Sequence, residues 1–412
     1  MAAAKPRVLI AGAGIAGLTA ALVLARRGIA ATILERAERL SEIGAGIQLS
    51  PNAARVLISL GLEQALQSSV ASPQALIVRS GPTGRILAAM PLGEAARVRY
   101  GAPYWVIHRG DLQAVLLAAV AAESRIELCL NQEVAGFSAD RAGMRVMTAG
   151  GEVYEAAGLI GADGVRSAVR ARLLGDGEPR FTGYVAWRGL VDPADVAEII
   201  AENASGLWLG PHAHLVHYPV RGGRTVNVVA IVSDAEPPPG WGEDAAAEAL
   251  SPYYRDWARP ARELIDAIAG WQRYALYDRP PARRWSKGRV TLIGDAVHPT
   301  LPFIAQGGAM AIEDAAVLSA ALARTPDDPA AAFGRYQEQR GQRTARLQRQ
   351  ARRNGRIFHL GRLAAFFRDT ALHLLSPAAF AARQDWIYSW RPANDLAAEA
   401  GQQLEPPAAD SR

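Results

Sequence analysis

Little in this sequence offers soft or thiol chemistry. Its 412 residues hold one cysteine, Cys129. A single thiol excludes an intramolecular disulfide and any zinc or iron–sulfur site built on several cysteines, and a reducing cytoplasm is the compartment that fits. Long hydrophobic runs are equally scarce. One uncharged stretch, residues 8–25, approaches the length of a membrane span; the glycines inside it argue for a different element, and no second segment of comparable length follows. Charge of one sign is also in short supply, with 45 basic against 40 acidic residues leaving a formal +5. Arginine far outnumbers lysine, so small anions are favoured over the surface, but an excess of this size is usually a solubility feature. What remains is ordinary globular composition, half apolar and 21% charged, in a chain long enough for two or three folding units.

Gly12, Gly14 and Gly17 stand at GxGxxG spacing, directly after the apolar run Val8–Ala11 and before a helical run that stops at Gly28. Such glycines permit a tight turn, close approach of backbone to a pyrophosphate, and close helix–strand packing. Spacing alone is weak evidence. Here a second strand, Ala31–Leu34, follows and ends in Glu35, where a carboxylate accepts a ribose hydroxyl. The complete β-α-β-Glu unit predicts an ADP-containing dinucleotide. Arg36 either pairs with the same nucleotide or is a solvated strand-end arginine.

Residues 43–52 are glycine-rich again without following a strand, and they read as a second backbone approach to that ligand, with Ser50-Pro51 opening a helix. Arg109 stands at the mouth of a helix that begins near Asp111. It either reaches the ligand or flanks the helix at the surface. Strands at 126–130, 134–138 and 144–148 read as a meander. Another strand ends at Gly161-Ala-Asp-Gly164, and a buried strand at 290–293 ends at Gly294-Asp295, ahead of a Pro-bounded loop and a helix opening at Gln306-Gly307-Gly308. Three strand ends, near Gly12, Asp163 and Asp295, thus carry glycine with or without a carboxylate. That is the pattern of a large cofactor lying across the carboxyl edge of a sheet, with free helix N–H groups at Gly307 turned toward an anion.

From 181 to about 276, Trp and Tyr become frequent and short strands succeed one another, the texture of an antiparallel sheet lobe. Residues 245–269 read as mostly helical. His212, His214 and His217 crowd into this lobe. Strand alternation puts His212, His214 and Tyr218 on one face and His217 on the other, and two histidines without a nearby carboxylate make a poor metal site. A His and a Tyr on one strand face either line a polar pocket or are ordinary half-buried sheet residues. Helices are predicted over 309–324 and from 330 to about 363. The second carries Arg335, Arg340, Arg343, Arg346, Arg349, Arg352, Arg353 and Arg356, and reads as a solvated or subunit-facing helix rather than a nucleic-acid surface. The aromatic segment 386–390 suits docking on the body or on a second subunit.

With Gly12-Gly14-Gly17-Glu35, Gly161-Ala-Asp-Gly164 and Gly294-Asp295 in this order, the chain resembles the single-component flavoprotein aromatic hydroxylases over residues 8–390. Within that group it is most similar to the salicylate, 3-hydroxybenzoate and 6-hydroxynicotinate hydroxylases. The residues that carry this are Gly44-Ala-Gly-Ile-Gln48, His108-Arg-Gly-Asp-Leu112, Tyr184-Val-Ala-Trp-Arg-Gly189, His214-Leu-Val-His-Tyr218 and His298-Pro299. The resemblance implies an α/β protein with a Rossmann-like FAD-binding domain (1–70, 101–178 and 285–330), an inserted antiparallel-sheet substrate domain (71–100 and 179–284), C-terminal helices (331–400) and a disordered tail (401–412).

It also implies noncovalent FAD, with the ADP half on Gly12, Gly14, Ile15, Ala16, Gly17, Glu35 and Arg36. Gly46, Arg109 and the Val134 backbone would help hold it, and Asp295, Gly307 and Gly308 would meet its ribityl and flavin ends. Asp163 and Arg166 would serve FAD and the cosubstrate, NADH or NADPH, together. O₂ would be captured as a C4a-hydroperoxide and attack a ring activated by an ionised hydroxyl. His214 is the implied base with Tyr218 as its hydrogen-bond partner, while Gln48, Pro302 and Phe303 border the ring; His298 reads as structural. Gln48 and Phe303 each replace a histidine of the hydroxynicotinate enzymes, which favours an apolar pocket for a phenolic acid like salicylate or 3-hydroxybenzoate. The expected partners are a small aromatic substrate and O₂, with no nucleic acid, no metal and no membrane span, and the C-terminal helices are compatible with a homodimer. Three alternatives stay open: a quinone-biosynthesis hydroxylase of the same fold, an FAD-dependent NAD(P)H oxidase or reductase without oxygen insertion, and a non-enzymatic FAD-binding module.

Overall fold

The computed structural model describes residues 8–40, 45–140, 143–238, 240 and 242–392. Gly44 of the second glycine-rich stretch and the tail 401–412 lie outside them. Two large sheets organise the chain. The first has six strands in the order Ser286–Lys287, Val290–Leu292, Gly158–Gly161, Val8–Ala11, Ala31–Leu34 and Ile126–Cys129, parallel throughout except at the short edge pair. Strands covered on both faces are apolar at every position rather than alternating. Val8–Ala11, Ala31–Leu34 and Gly158–Gly161 are accordingly buried at each residue. The helices Ile15–Arg26 and Gly307–Arg324 pack on each other beside this sheet.

Ile126–Cys129 corrects the expected meander. It follows the crossover helix Arg109–Ala121 and pairs in parallel with Ala31–Leu34, as a β-α-β connection requires. The three-stranded meander consists instead of Val134–Ala139, Met144–Thr148 and Val153–Ala156. A second correction falls on the glycine-rich stretch: Gly46–Leu49 is a strand, antiparallel to Trp105–His108.

The eight-stranded sheet runs Glu243–Ala245, Trp271–Asp278, Arg180–Val191, Thr225–Ser233, Ala213–Val220, Ala204–Gly210, Ala75–Ser80 and Ile86–Pro91, antiparallel except where Ala204–Gly210 meets Ala75–Ser80. One face buries Trp187, Trp208 and Trp271 with Tyr254 and Trp257. The segment expected to be mostly helical opens with the strand Glu243–Ala245, and its α-helices are short, Ser251–Tyr254 and Arg259–Asp266.

The arginine-rich helix spans Pro329–Phe358, with Asp328 capping it by accepting from the Ala331 N–H. It ends at Phe358, short of 363; His359 caps it, and a new helix, Arg362–His373, begins after Gly361. Nor is it solvated all round: Arg335, Arg346, Arg349, Arg353 and Arg356 are exposed, but one side is buried. Phe333, Tyr336, Arg340, Leu347 and Ala351 form its buried stripe, because carboxylates on the neighbouring helix Gly307–Arg324 are there to meet the guanidinium. Arg343, Arg346 and Arg340 also stack on Trp386 and Trp390, docking segment 386–390 on the body. No helix among the described residues is long and apolar enough to cross a membrane.

Candidate cofactor and substrate site

The three glycine-bearing strand ends converge. A Cβ on Gly12 would lie 2.7 Å from the Ala162 carbonyl oxygen and 3.1 Å from Asp163 Cα, and one on Gly17 would lie 1.9 Å from the Gly12 carbonyl oxygen. Ala16 in turn is the neighbour that a Cβ on Gly294 would meet, at 3.1 Å. Ile15 is buried at the start of the same helix. Glu35 closes the loop: its two carboxylate oxygens accept the Ala13 N–H at 2.7 Å and the Ala37 N–H at 2.9 Å. Each oxygen keeps a second lone pair for a ribose hydroxyl. Arg36 is solvent-exposed beside it.

Asp163 has a local task. Its oxygens accept from Ser167 Oγ and from the Val169 N–H, fixing the helix Ala168–Leu174. Burial raises its pKa, which these hydrogen bonds oppose. Arg166 is exposed and lies over the Tyr277 ring at 5.4 Å. Val134 is packed into the main core. The Gly46 N–H, expected at the cofactor, donates to Asn227 Oδ1 at 2.7 Å, and a Cβ there would strike the Tyr218 ring.

The residues present fit FAD. Asp295 is exposed to solvent at the Gly294-Asp295 turn, while the protein around its carboxyl raises the pKa by burial, with the Arg109 charge opposing. A Cβ on Gly14 or on Gly307 would meet nothing within 4 Å, so both helix N-termini face open space. No side chain caps the helix at Gly307, which leaves its first N–H groups and its positive dipole end for an electron-rich ligand. Gly308 abuts Ile47.

Behind this helix mouth lies a buried polar network that sequence reasoning missed. Arg340 donates to Glu313 at 2.6 Å and to Asp314 at 2.7 Å, Arg343 donates to Glu313 at 2.7 Å, and His298 Nε2 meets Asp314 at 2.6 Å. Asn52 links Glu313 to Gln306, whose amide donates to Ser50 Oγ, and the Gly294 N–H donates to Asp314. Burial pushes the Glu313 and Asp314 carboxyls up; the charged neighbours outweigh it and hold both below the usual carboxylate range. One network thereby fixes the Gly294-Asp295 turn, the helix at Gly307 and the 46–52 segment relative to one another. His298 belongs to it.

Gln48, His214, Pro302 and Phe303 line one cavity of about 700 Å³ between the second sheet and the C-terminal helices. Tyr104 donates to Gln48 Oε1. His214 is 1% exposed and sits among rings, 5.3 Å from Phe303 and 5.4 Å from Phe358 by centroid. The pairing with Tyr218 needs correction: His214 Nδ1 meets His359 Nε2 at 2.7 Å, whereas Tyr218, two strand repeats away, packs on Gly46 and is absent from the cavity wall. Burial, and then His359, hold His214 well below the ordinary histidine range, so its ring is neutral and one ring nitrogen carries a lone pair. His212 is exposed at the turn before this strand, and His217 faces the opposite side, buried beside Trp208. Among the described residues no group of three or more His, Cys, Asp or Glu is placed to hold a metal ion. Tyr104, Arg346 and Arg353, which share this wall, and His359 behind His214 were the residues missed; only folding brings them together.

The sequence pattern of the FAD binding domain family matches residues 5–351. The chain is 39% identical over 391 residues, 95% of its length and 97% of the relative's, to a 3-hydroxybenzoate 6-hydroxylase of Polaromonas naphthalenivorans strain CJ2. It is 40% identical to a 3-amino-4-hydroxybenzoate 2-monooxygenase of Streptomyces cremeus, over 86% of this chain and 88% of that one. The crystal structure of Klebsiella pneumoniae HpxO complexed with FAD and uric acid superposes with a TM-score of 0.82 at 28% identity, covering 92% of this chain and 95% of that one.

Proposed function

The chain belongs to the FAD binding domain family, as an FAD-dependent aromatic-ring monooxygenase with NAD(P)H as cosubstrate, and on that premise we propose that it hydroxylates a phenolic aromatic acid of the 3-hydroxybenzoate or salicylate type, with O₂ as the oxygen source. The observation that carries the substrate class is the cavity itself: an aromatic-walled space holding one neutral, buried histidine, with arginines at one side. Bound FAD supplies the electrons and the activation of O₂. Every other task falls to this chain's residues.

Glu35 and the glycine turn would hold the ADP end, and Asp295 the ribityl chain. The N–H groups at Gly307 and Gly308 would turn a positive field toward the flavin, as a preorganised dipole should. His214 Nε2 takes the proton of the substrate hydroxyl, which makes the ring electron-rich. Gln48, oriented by Tyr104, binds a polar substituent, and Arg346 and Arg353 attract the carboxylate. Phe303, Pro302 and Phe358 keep water from the reacting centre. Asp163 and Arg166, beyond the carboxyl end of the strand Gly158–Gly161, would serve FAD and the nicotinamide cosubstrate together. The lone Cys129 suits the cytoplasm, and the exposed Leu363, Phe366, Phe367 and Leu374 support a homodimer, which sedimentation would detect.

The test is to titrate the purified yellow protein with a panel of hydroxybenzoates. At least one should perturb the flavin spectrum and accelerate NADH or NADPH consumption several-fold. A panel that binds nowhere and accelerates nothing would remove the substrate class. His214→Ala should then lower turnover by about 10² or more with FAD content intact, the usual contribution of a general base.

A further inference from the structure

His214 is one end of a hydrogen-bonded line that leaves the cavity. Its Nδ1 lies 2.7 Å from His359 Nε2, and Nδ1 of His359 lies 3.1 Å from Ser233 Oγ. The three residues come from three separate elements: the strand Ala213–Val220, the residue capping the helix Pro329–Phe358, and the end of the strand Thr225–Ser233. Ser233 is only half-buried, and the exposed His212 is its neighbour at the strand ends, where the Ser233 N–H donates to the His212 carbonyl. The line therefore runs from the cavity wall to a half-buried serine at the end of a strand. Two buried imidazoles sharing one hydrogen bond bring no charge pairing to set against their desolvation, so stability alone does not account for them.

We propose that His359 and Ser233 form a proton exit for His214, fixing its tautomer and carrying the substrate's proton to solvent. The proposal rests on the reading of His214 as the base. At rest His214 Nδ1–H donates to His359 Nε2, and His359 Nδ1–H donates to Ser233 Oγ, which leaves His214 Nε2 as an acceptor facing the substrate. The substrate O–H bond breaks and its proton joins His214 Nε2. The proton on His214 Nδ1 passes to His359 Nε2, that on His359 Nδ1 passes to Ser233 Oγ, and the serine releases its own to water. One proton enters, one leaves, and both rings end neutral. They reset when His214 Nε2 gives its proton to the phenolate of the departing product and the line draws one proton in from water through Ser233 and His359.

The surroundings favour passage over storage. His359 faces His212 and Arg368, whose Nη1 donates to the Ile357 and Phe358 carbonyls, with the Tyr184 ring 5.0 Å away and Arg356 beyond it. His214 is enclosed by Phe303, Phe358 and the Tyr254 hydroxyl that donates to its carbonyl. No carboxylate among these groups would hold a positive ring. Burial, then His212 and Arg368, keep His359 neutral down to about 3.

His359→Gln separates the relay from mere support, since its amide oxygen still accepts from His214 Nδ1–H but cannot pass a proton on. With 3-hydroxybenzoate or salicylate as probe, stopped-flow absorbance would follow phenolate formation on binding in the FAD-loaded protein. The expected result is phenolate formation slowed about tenfold or more, with FAD content and KM close to the parent's. Ser233→Ala should slow it in the same direction, and serves alone if His359→Gln does not retain FAD. Parent rates in both variants, beside a slowed His214→Ala, would overturn the exit and leave the base standing. A parent rate in His214→Ala as well would overturn the base and the exit together.

Discussion

Replacing Gly17 by alanine is the smallest change expected to have a large effect on cofactor binding, because its Cβ would stand 1.9 Å from a backbone oxygen of the Gly12 turn. That clash cannot be relieved by a rotamer change, so the turn itself must move, at about 1–3 kcal/mol for overpacking of this kind. Gly17→Ala should purify pale, with FAD affinity reduced at least several-fold by fluorescence titration. Glu35 and the three glycines were legible from sequence because their chemistry is local, a strand, a turn and a carboxylate in one short stretch. His359 was not. Periodicity ran the helix past it, and nothing in a linear sequence says that a residue 145 positions away will meet the His214 ring.

At the scale of elements, two helices, Gly307–Arg324 and Pro329–Phe358, are tied by Arg340 with Glu313 and Asp314, all at most 1% exposed. Removing one partner leaves an uncompensated buried charge, so Arg340→Met should cost about 3–5 kcal/mol. Chemical denaturation would read this as a lower midpoint, and FAD release should accompany it, since Asp314 also holds the Gly294-Asp295 turn through its N–H. The helix Gly307–Arg324 was foreseen nearly to its ends, as were the first two strands, whose apolar runs have sharp borders. What the pattern could not supply was pairing. Ile126–Cys129 has the same periodicity whether it joins a meander or a parallel sheet, and the arginines of the long helix look solvated until the carboxylates behind them are known.

The whole molecule should lose stability on the acid side in two stages. His214, His217 and His359 are buried, and burial lowers each below the ordinary 6.5, to about 4 for His217 and about 3 for His359. The unfolded chain therefore binds more protons than the folded one once the pH drops below 6.5, so stability present above that value is lost progressively below it. Glu313 and Asp314 are likewise depressed, and their contribution, intact above the ordinary carboxylate range, disappears at still lower pH. Thermal denaturation between about pH 8 and pH 4 should show Tm falling from roughly pH 6.5 downward; a flat profile would mean these rings are not buried neutral. The source of the new oxygen atom tests the monooxygenase reaction most directly. Turnover of an accelerating hydroxybenzoate with NADH or NADPH under ¹⁸O₂ should give a product heavier by one labelled oxygen atom, with label absent when only the water is ¹⁸O. Consumption of reductant with an unlabelled product would contradict it.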